Sequence, residues 1–240
     1  MKYGLPKTIL LDLDDTIIAT SVVTDVVWQS VTAEFAPRLL GHSPQRMLEA
    51  FQEHRRWYWS DPVRHRDGRM SPPRARRELI EGTLNRLGIL DPSLAGEMSD
   101  IFSAWREDAV QPFPEAVETL RRLRECGVRL ALITNGEGEG QRRKIETFGL
   151  ARFFECVLIE GEFGVGKPDE RVYLHALEHL NSRPSEAWMV GDNLEWEVAA
   201  PQKLGLYSIW VDSLGTGLPE SVAVRPDRII QALPDLLKRP

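Results

Sequence analysis

A chain of 240 residues is long enough for one large domain or two small ones, and 42% hydrophobic with 28% charged residues excludes wholesale disorder. The net charge of −6 argues against a nucleic-acid polymer as partner, since that calls for a strongly basic surface. No apolar run approaches the roughly 20 residues of a membrane-spanning helix, and residues 1–7 are too short and polar for a secretory leader, so a cytoplasmic protein without a membrane partner is expected.

The first apolar run, Thr8–Leu13, reads as a fully buried strand. From Ile18 to Val110 the pattern is helical. Periodic segments run through Val22–Leu39, Pro44–Trp59, Arg74–Leu87 and Ala95–Asp108, with turn signals at Gly41–Ser43, Ser71–Pro73 and Gly88–Pro92. They predict an inserted bundle of about four helices, a cap domain of residues 18–110, and Pro112 and Pro114 mark the chain's return. Beyond it, strands at Val128–Thr134, Glu155–Ile159, Ala187–Val190 and Tyr207–Val211 alternate with helices at Glu115–Cys126, Gln141–Phe148, Glu170–Leu180 and Glu195–Leu204. Three of these helices are followed by a glycine, Gly127, Gly149 or Gly205, a helix-stop signal. Such alternation predicts an α/β fold: a Rossmann-like, doubly wound parallel sheet formed by residues 1–17 and 111–240. Cys126 and Cys156 lie in apolar stretches without metal-ligand spacing and read as two buried thiols in a reducing compartment.

Ligands of open α/β sheets bind beyond the carboxyl ends of the strands. There the sequence places Asp12-Leu13-Asp14-Asp15-Thr16, Thr134-Asn135-Gly136, Gly166-Lys167-Pro168-Asp169 and Gly191-Asp192-Asn193. A sheet interior needs none of these polar groups, and each costs several kcal/mol, on the order of 2–7, if buried unpaired. Together they suit phosphoryl transfer. A carboxylate attacks phosphorus and splits one hard step into two. A second acid two residues on protonates the leaving alkoxide and later activates water. A lysine and a threonine hydroxyl neutralise and hold the transferring oxygens. Crowded carboxylates beside a phosphate dianion call for a divalent cation, and oxygen-only ligands point to magnesium.

In order and spacing these segments resemble the four motifs of the haloacid dehalogenase-like (HAD) hydrolase superfamily, and the helical insert after the first motif resembles that family's C1-type cap. The resemblance implies Asp12 as nucleophile and Mg²⁺ ligand, and Asp14 as general acid/base with its backbone carbonyl on the metal. It further implies Thr134 and the backbone of Asn135 as phosphate binders, Lys167 as the charge-neutralising cation, and Asp192 as the remaining metal ligand. Relatives that cleave carbon–halogen or carbon–phosphorus bonds generally lack an acid at the second position, so Asp14 favours a phosphate monoester as substrate. One departure stands out. The family often has a second aspartate shortly after the Gly-Asp pair; here Glu197 occupies that slot, and Glu195 is an alternative.

The expected activity is therefore a Mg²⁺-dependent phosphatase acting on a small phosphorylated metabolite, with nucleotide- and sugar-phosphatase-like relatives suggested by residues 134–145 and 191–193. A phosphomutase, or a phosphate-binding regulator without turnover, would share the scaffold. Three other patterns carry less. Gly161–Lys167 nearly spells a P-loop, but Pro168 replaces the required hydroxyl residue. Gly136–Gly140 reads as a flexible turn, and His175 with His179 as a solvated helix face. Arg55–Arg77 holds eight arginines against two aspartates, beside Trp57, Tyr58 and Trp59. It reads either as a solvated face over core aromatics or as a surface that recruits an anionic substrate.

Overall fold

The computed structural model describes residues 4–39, 41–220 and 223–238. Contacts divide the chain into two compact units, one built from the chain up to Ala19 and from Gln111 onward, the other from Thr20–Val110. The strands are β1 (Thr8–Leu11), β2 (Ile18–Ala19), β3 (Gln111–Pro112), β4 (Arg129–Thr134), β5 (Cys156–Ile159), β6 (Ala187–Gly191), β7 (Tyr207–Val211) and β8 (Arg228–Ile230). Six of them form one parallel sheet in the order β5-β4-β1-β6-β7-β8. The chain leaves β1 toward β4 and β5, then returns to β6 on β1's other side, so the topological switch falls at β1.

The insert is not helical from its first residue. Ile18–Ala19 pairs antiparallel with Gln111–Pro112 as a two-stranded ribbon where the chain leaves and re-enters the sheet unit. The helical unit holds α1 (Ser21–Phe35), α2 (Pro44–Trp59), α3 (Pro62–Met70), α4 (Pro72–Arg86) and α5 (Pro92–Ala109). Four of these begin with proline, whose missing N–H would have had no partner in a first turn. Before three of the prolines, Ser43, Asp61 and Asp91 cap the helix by accepting the N–H of Arg46, Arg64 and Leu94. The core combines Val27, Trp28, Val31 and Phe35 with Met47, Phe51, Ile80, Met98 and Phe102. Trp28 lies with its ring centroid 3.8 Å from Phe51 and 4.0 Å from Phe102.

Helix α3 is absent from the sequence expectation. Gly68 is the one fully buried residue among its described positions, so it has no apolar stripe to detect. It packs through bare backbone: a β-carbon on Gly68 would lie 2.8 Å from the Trp59 ring.

The sheet unit adds α6 (Ala116–Glu125), α7 (Gly138–Thr147), α8 (Glu160–Phe163), α9 (Glu170–His179) and α10 (Ala200–Lys203). Val172, Tyr173, Ala176 and Leu177 of α9 pack with Leu10, Ala131 and Ile133 of the central strands. Burial of this kind is worth about 25 cal/mol per Å² of apolar surface, so these helices are held to the sheet by the hydrophobic effect. Several expectations change here. The stretch expected as one helix from Glu195 is π-helical over Leu194–Ala199 before α10. Gly138 and Gly140 belong to the first turn of α7, not to a flexible turn, because the Glu137 carboxylate caps Glu139 and Gly140. Strand β8 is three residues long, too short to show a period. Cys156 is buried, but Cys126 is exposed, since it ends α6 just before Gly127 turns the chain. His175 and His179 lie exposed on α9.

Candidate active site

Asp12 is the first residue beyond β1, where its N–H still donates to the Val190 carbonyl of β6 at 3.0 Å. The chain then turns sharply. Leu13 O accepts from Ile17 N (2.9 Å) and Ile18 N (3.0 Å), and Asp15 adopts a left-handed conformation with φ of 58°. Aspartate is among the few non-glycine residues that tolerate this region. Asp12 and Asp14 thus leave the sheet on one short turn but meet different partners.

Asp12 faces Lys167, whose Nζ lies 2.5 Å from Asp12 Oδ1 and 2.7 Å from Glu197 Oε1. Lys167 is 1% exposed and Glu197 also 1%, so this is a buried triad of one cation and two acids. The loop carrying Lys167 is clamped by the Asn135 side chain. Asn135 Nδ2 donates to Lys167 O, and Lys167 N donates to Asn135 Oδ1, each at 2.7 Å. The Lys167–Pro168 peptide is cis. Two glycines make room. A β-carbon on Gly166 would fall 2.6 Å from Asn135 Oδ1, and one on Gly191 would fall 2.1 Å from Glu197 Cγ and 3.0 Å from Asp12 Cβ. Glu197 is locked from its other side, with Oε2 accepting from Asn193 N at 2.8 Å. Glu195, the alternative acid, is exposed.

Asp14 meets α7. Lys144 Nζ donates to its two oxygens at 2.6 and 2.8 Å. Gln141 Nε2 shares its hydrogens among Asp14 Oδ2 (2.8 Å), Thr134 Oγ1 (2.6 Å) and Asn135 O (2.7 Å). Because Thr134 Oγ1 accepts here, its hydroxyl proton remains available for donation. Gly136 N donates to the buried Glu160 at 2.9 Å, tying the end of β4 to the start of α8. Asn135, bonded to both Lys167 and Gln141, joins the two clusters.

The electrostatics are those of acids crowded out of water. Burial, against the pull of Lys167, pushes the Asp12 carboxyl above its usual range. Burial likewise raises Glu197 to about 7, again against Lys167. Asp192, just beyond β6, is pushed up to about 9 by burial, then by Asp12, Glu197 and Asp15. Lys167 loses favour for its charge through burial, yet Asp12 and Glu197 more than restore it, so its pKa is raised. Among the described residues Asp192 has no side-chain hydrogen bond or ion pair, although its carbonyl accepts from Trp210 Nε1 at 2.6 Å.

This donor set fits a hard cation. Among the described residues no three His, Cys, Asp or Glu side chains form a ready-made cage. Mg²⁺ does not need one, because it binds through one or two carboxylates and keeps several ligands from solvent or substrate. The unpartnered Asp192 carboxylate, repelled by Asp12, is the group such a charge would relieve. Asp12 and Asp192 carry the carboxylates that such an ion would take.

Each site residue expected from sequence therefore sits in or beside the connected rim of the sheet unit. Gln141, Lys144 and Glu160 are additions to that expectation, as is the Asn135 side chain's grip on the lysine loop. The three-residue spacing of Gln141 and Lys144 puts them on one face of α7, but which face of a helix meets the sheet is not a local property.

The sequence model of the haloacid dehalogenase-like hydrolases matches residues 6–205. A phosphoserine phosphatase of Thermus thermophilus is 34% identical over 92% of this chain and 94% of its own length. A glyceraldehyde 3-phosphate phosphatase of Methanopyrus kandleri is 27% identical over 85% of this chain and 82% of its own. Among solved structures, the HAD-hydrolase YfnB of Bacillus subtilis, crystallised with magnesium, superposes with a TM-score of 0.74 over 97% of both chains at 18% identity, a likeness of fold. The motif order, the parallel sheet switching at β1 and the match across most of the sequence lead to one family: this chain belongs to the haloacid dehalogenase-like hydrolases.

Proposed function

We propose that the protein is a Mg²⁺-dependent phosphatase that hydrolyses the phosphate monoester of a small metabolite through an aspartyl-phosphate on Asp12. The observation that carries this is the separation of two carboxylates two residues apart. Asp12 is set against a buried lysine, and Asp14 against donors from α7.

In this reading Asp12 Oδ attacks phosphorus while Thr134 Oγ and the backbone N–H of Asn135 hold the non-bridging oxygens. Lys167 offsets the charge on both nucleophile and phosphoryl group. Asp14 delivers a proton to the leaving alkoxide, then takes one from the water that cleaves the acyl phosphate. Asp12, Asp192 and the Asp14 carbonyl would hold Mg²⁺, which supplies further charge neutralisation when bound. Glu197 acts through Lys167 as a positioning residue. The helical unit is proposed as the family's cap domain, and the cytoplasm is the proposed compartment. No helix among the described residues is long and apolar enough to cross a membrane.

The named relatives act on phosphoserine and on a triose phosphate, which supports a small phosphorylated metabolite. The test is hydrolysis of p-nitrophenyl phosphate with Mg²⁺, followed by phosphate release from phosphoserine, sugar phosphates and nucleotides. Asp12→Asn should abolish turnover and the trapped phosphoenzyme. Persistent turnover in that variant would refute the nucleophile, and return of phosphate to substrate in labelled water would point to a mutase.

A further inference from the structure

The arginine-rich segment of the helical unit divides into neutralised and unneutralised members. Arg55 pairs with Asp25, Arg74 pairs with Glu78 at 2.7 Å, and Arg64 stacks 4.1 Å above Trp57 while donating to the Trp57 and Tyr58 carbonyls. Tyr58 is buried and donates to Glu78 at 2.8 Å. These members form a solvated, internally paired face over the exposed Trp57 and the buried Tyr58. Arg76 is different.

Arg76 lies half-buried on α4, its guanidinium 4.9 Å from the Phe102 ring centroid and its Nη1 donating to Ser103 Oγ of α5. The Ser103 proton is committed, since its hydroxyl donates to Ser99 O at 2.6 Å. Three residues along the same face of α5, Arg106 donates through Nε to Thr24 Oγ1 of α1 at 3.0 Å. Among the described residues neither guanidinium has a carboxylate within ion-pair distance, and no acceptor meets Arg76 Nε and Nη2 or either Nη of Arg106. Burial first, and then the neighbouring Arg106, lowers the Arg76 pKa to about 10, with Asp100 opposing. Two half-buried cations are thus held one helical turn apart along α5, through Ser103 and at Arg106 itself, each oriented by a hydroxyl and each with donors of its planar fork unspent. Such forks match the paired oxygens of a carboxylate or phosphate.

We propose that Arg76 and Arg106, braced by Phe102, Ser103 and Thr24, form an anion-binding site of the helical unit that takes a carboxylate or phosphate group of a small molecule. The group comes either from a free anion or from a second anionic group on the substrate. Thr24 and Arg106 each stand five residues from the chain's crossings between units, at Ala19 and Gln111.

The experiment has two arms. In the first, which is independent of the phosphatase reading, malonate is titrated calorimetrically into the metal-free full-length chain, its Arg76→Met and Arg106→Gln variants, and a surface control, Arg121→Gln. Loss of a charge-assisted pair should weaken malonate binding about tenfold or more in each site variant and not in the control. Retention of native melting by either variant keeps this arm decisive. Equal binding by all four proteins, or no binding by any, overturns the proposal. The second arm rests on the phosphatase reading and compares KM for phosphate esters carrying a carboxylate with KM for p-nitrophenyl phosphate. A selective rise in the first KM assigns the site to the substrate's second anion, whereas weakened malonate binding with an unchanged KM ratio assigns it to a free anion. Lack of turnover by the unmodified chain would defeat the phosphatase reading and leave the calorimetric result standing.

Discussion

The carboxyl edge of the sheet and the interior of the helical unit bury opposite kinds of side chain. At the carboxyl edge of the sheet, Asp12, Lys167 and Glu197 are withdrawn from water as a charged triad, with Asp192 unpartnered beside them. Inside the helical unit the buried side chains are mostly apolar, centred on Trp28 between Phe51 and Phe102, and carboxylates such as Glu97 and Asp25 pair with arginines at the surface. Apolar burial stabilises at little risk, while a buried ion pair often contributes nothing net against a hydrophobic substitute. The sheet edge therefore retains an arrangement that stability alone does not favour, which is expected of a reacting site. Arg76 and Arg106, half-buried and without a carboxylate within ion-pair distance, depart from that pattern.

The contrast is broken most severely at Lys167. Lys167→Met leaves Asp12 and Glu197 buried without a cation and should cost about 3–5 kcal/mol in urea unfolding, with loss of turnover. A stable Lys167→Met protein would show that water already reaches the triad. The corresponding lesion in the helical unit, Trp28→Ala, should cost a similar ~3–5 kcal/mol, here from lost contacts and a cavity. If the units unfold separately, the two lesions should move different transitions in a thermal scan.

Lys144→Met tests the second carboxylate's setting. It should lower kcat by roughly 10- to 100-fold, more for alkyl phosphates than for p-nitrophenyl phosphate, because an alkoxide depends on proton delivery and a nitrophenolate does not. An equal loss on both substrates would mean that Lys144 only supports the fold.

The acid cluster also makes a signed prediction for pH. Burial raises the Asp192 carboxyl to about 9, so between the ordinary carboxylate range and that value the folded protein holds a proton that the unfolded chain releases. Stability from this source is present at low pH and is lost as pH rises through the folded value. The metal-free protein should melt a few degrees lower at pH 9 than at pH 7, by about 1.4 kcal/mol per pH unit at most. Asp192→Asn should flatten that trend, and Mg²⁺ should oppose it by favouring the ionised acids. A melting temperature that rises with pH in the metal-free chain would contradict the assignment. The smallest effect belongs to the helix starts: Asp91→Ala removes the cap on Leu94 N and should cost about 1 kcal/mol, read as a shift in the urea midpoint.

Much of this was legible before any coordinates. Near-continuous apolar runs such as Thr8–Leu11 and Arg129–Thr134 announce buried parallel strands, and the polar residues at their ends stand out because an interior would not tolerate them. Asp12, Asp14, Thr134, Lys167 and Asp192 stand out as candidates for that reason. Local signals failed where packing is carried by backbone or by few residues. Helix α3 seats Gly68 on Trp59 instead of presenting an apolar stripe, and β8 is too short to display alternation.

Sequence alone determined the motif order, the strand–helix alternation and the residue types at each strand end, since these follow from local periodicity and from the cost of burying polar groups. Only tertiary structure decided which charge meets which. It sent Lys167 to Asp12 and Glu197, Lys144 and Gln141 to Asp14, and Arg76 to Ser103 and Phe102 of a neighbouring helix. The reason is range: periodicity acts over a few residues, whereas these partners are brought together by loops and helices whose directions are set by packing elsewhere in the chain.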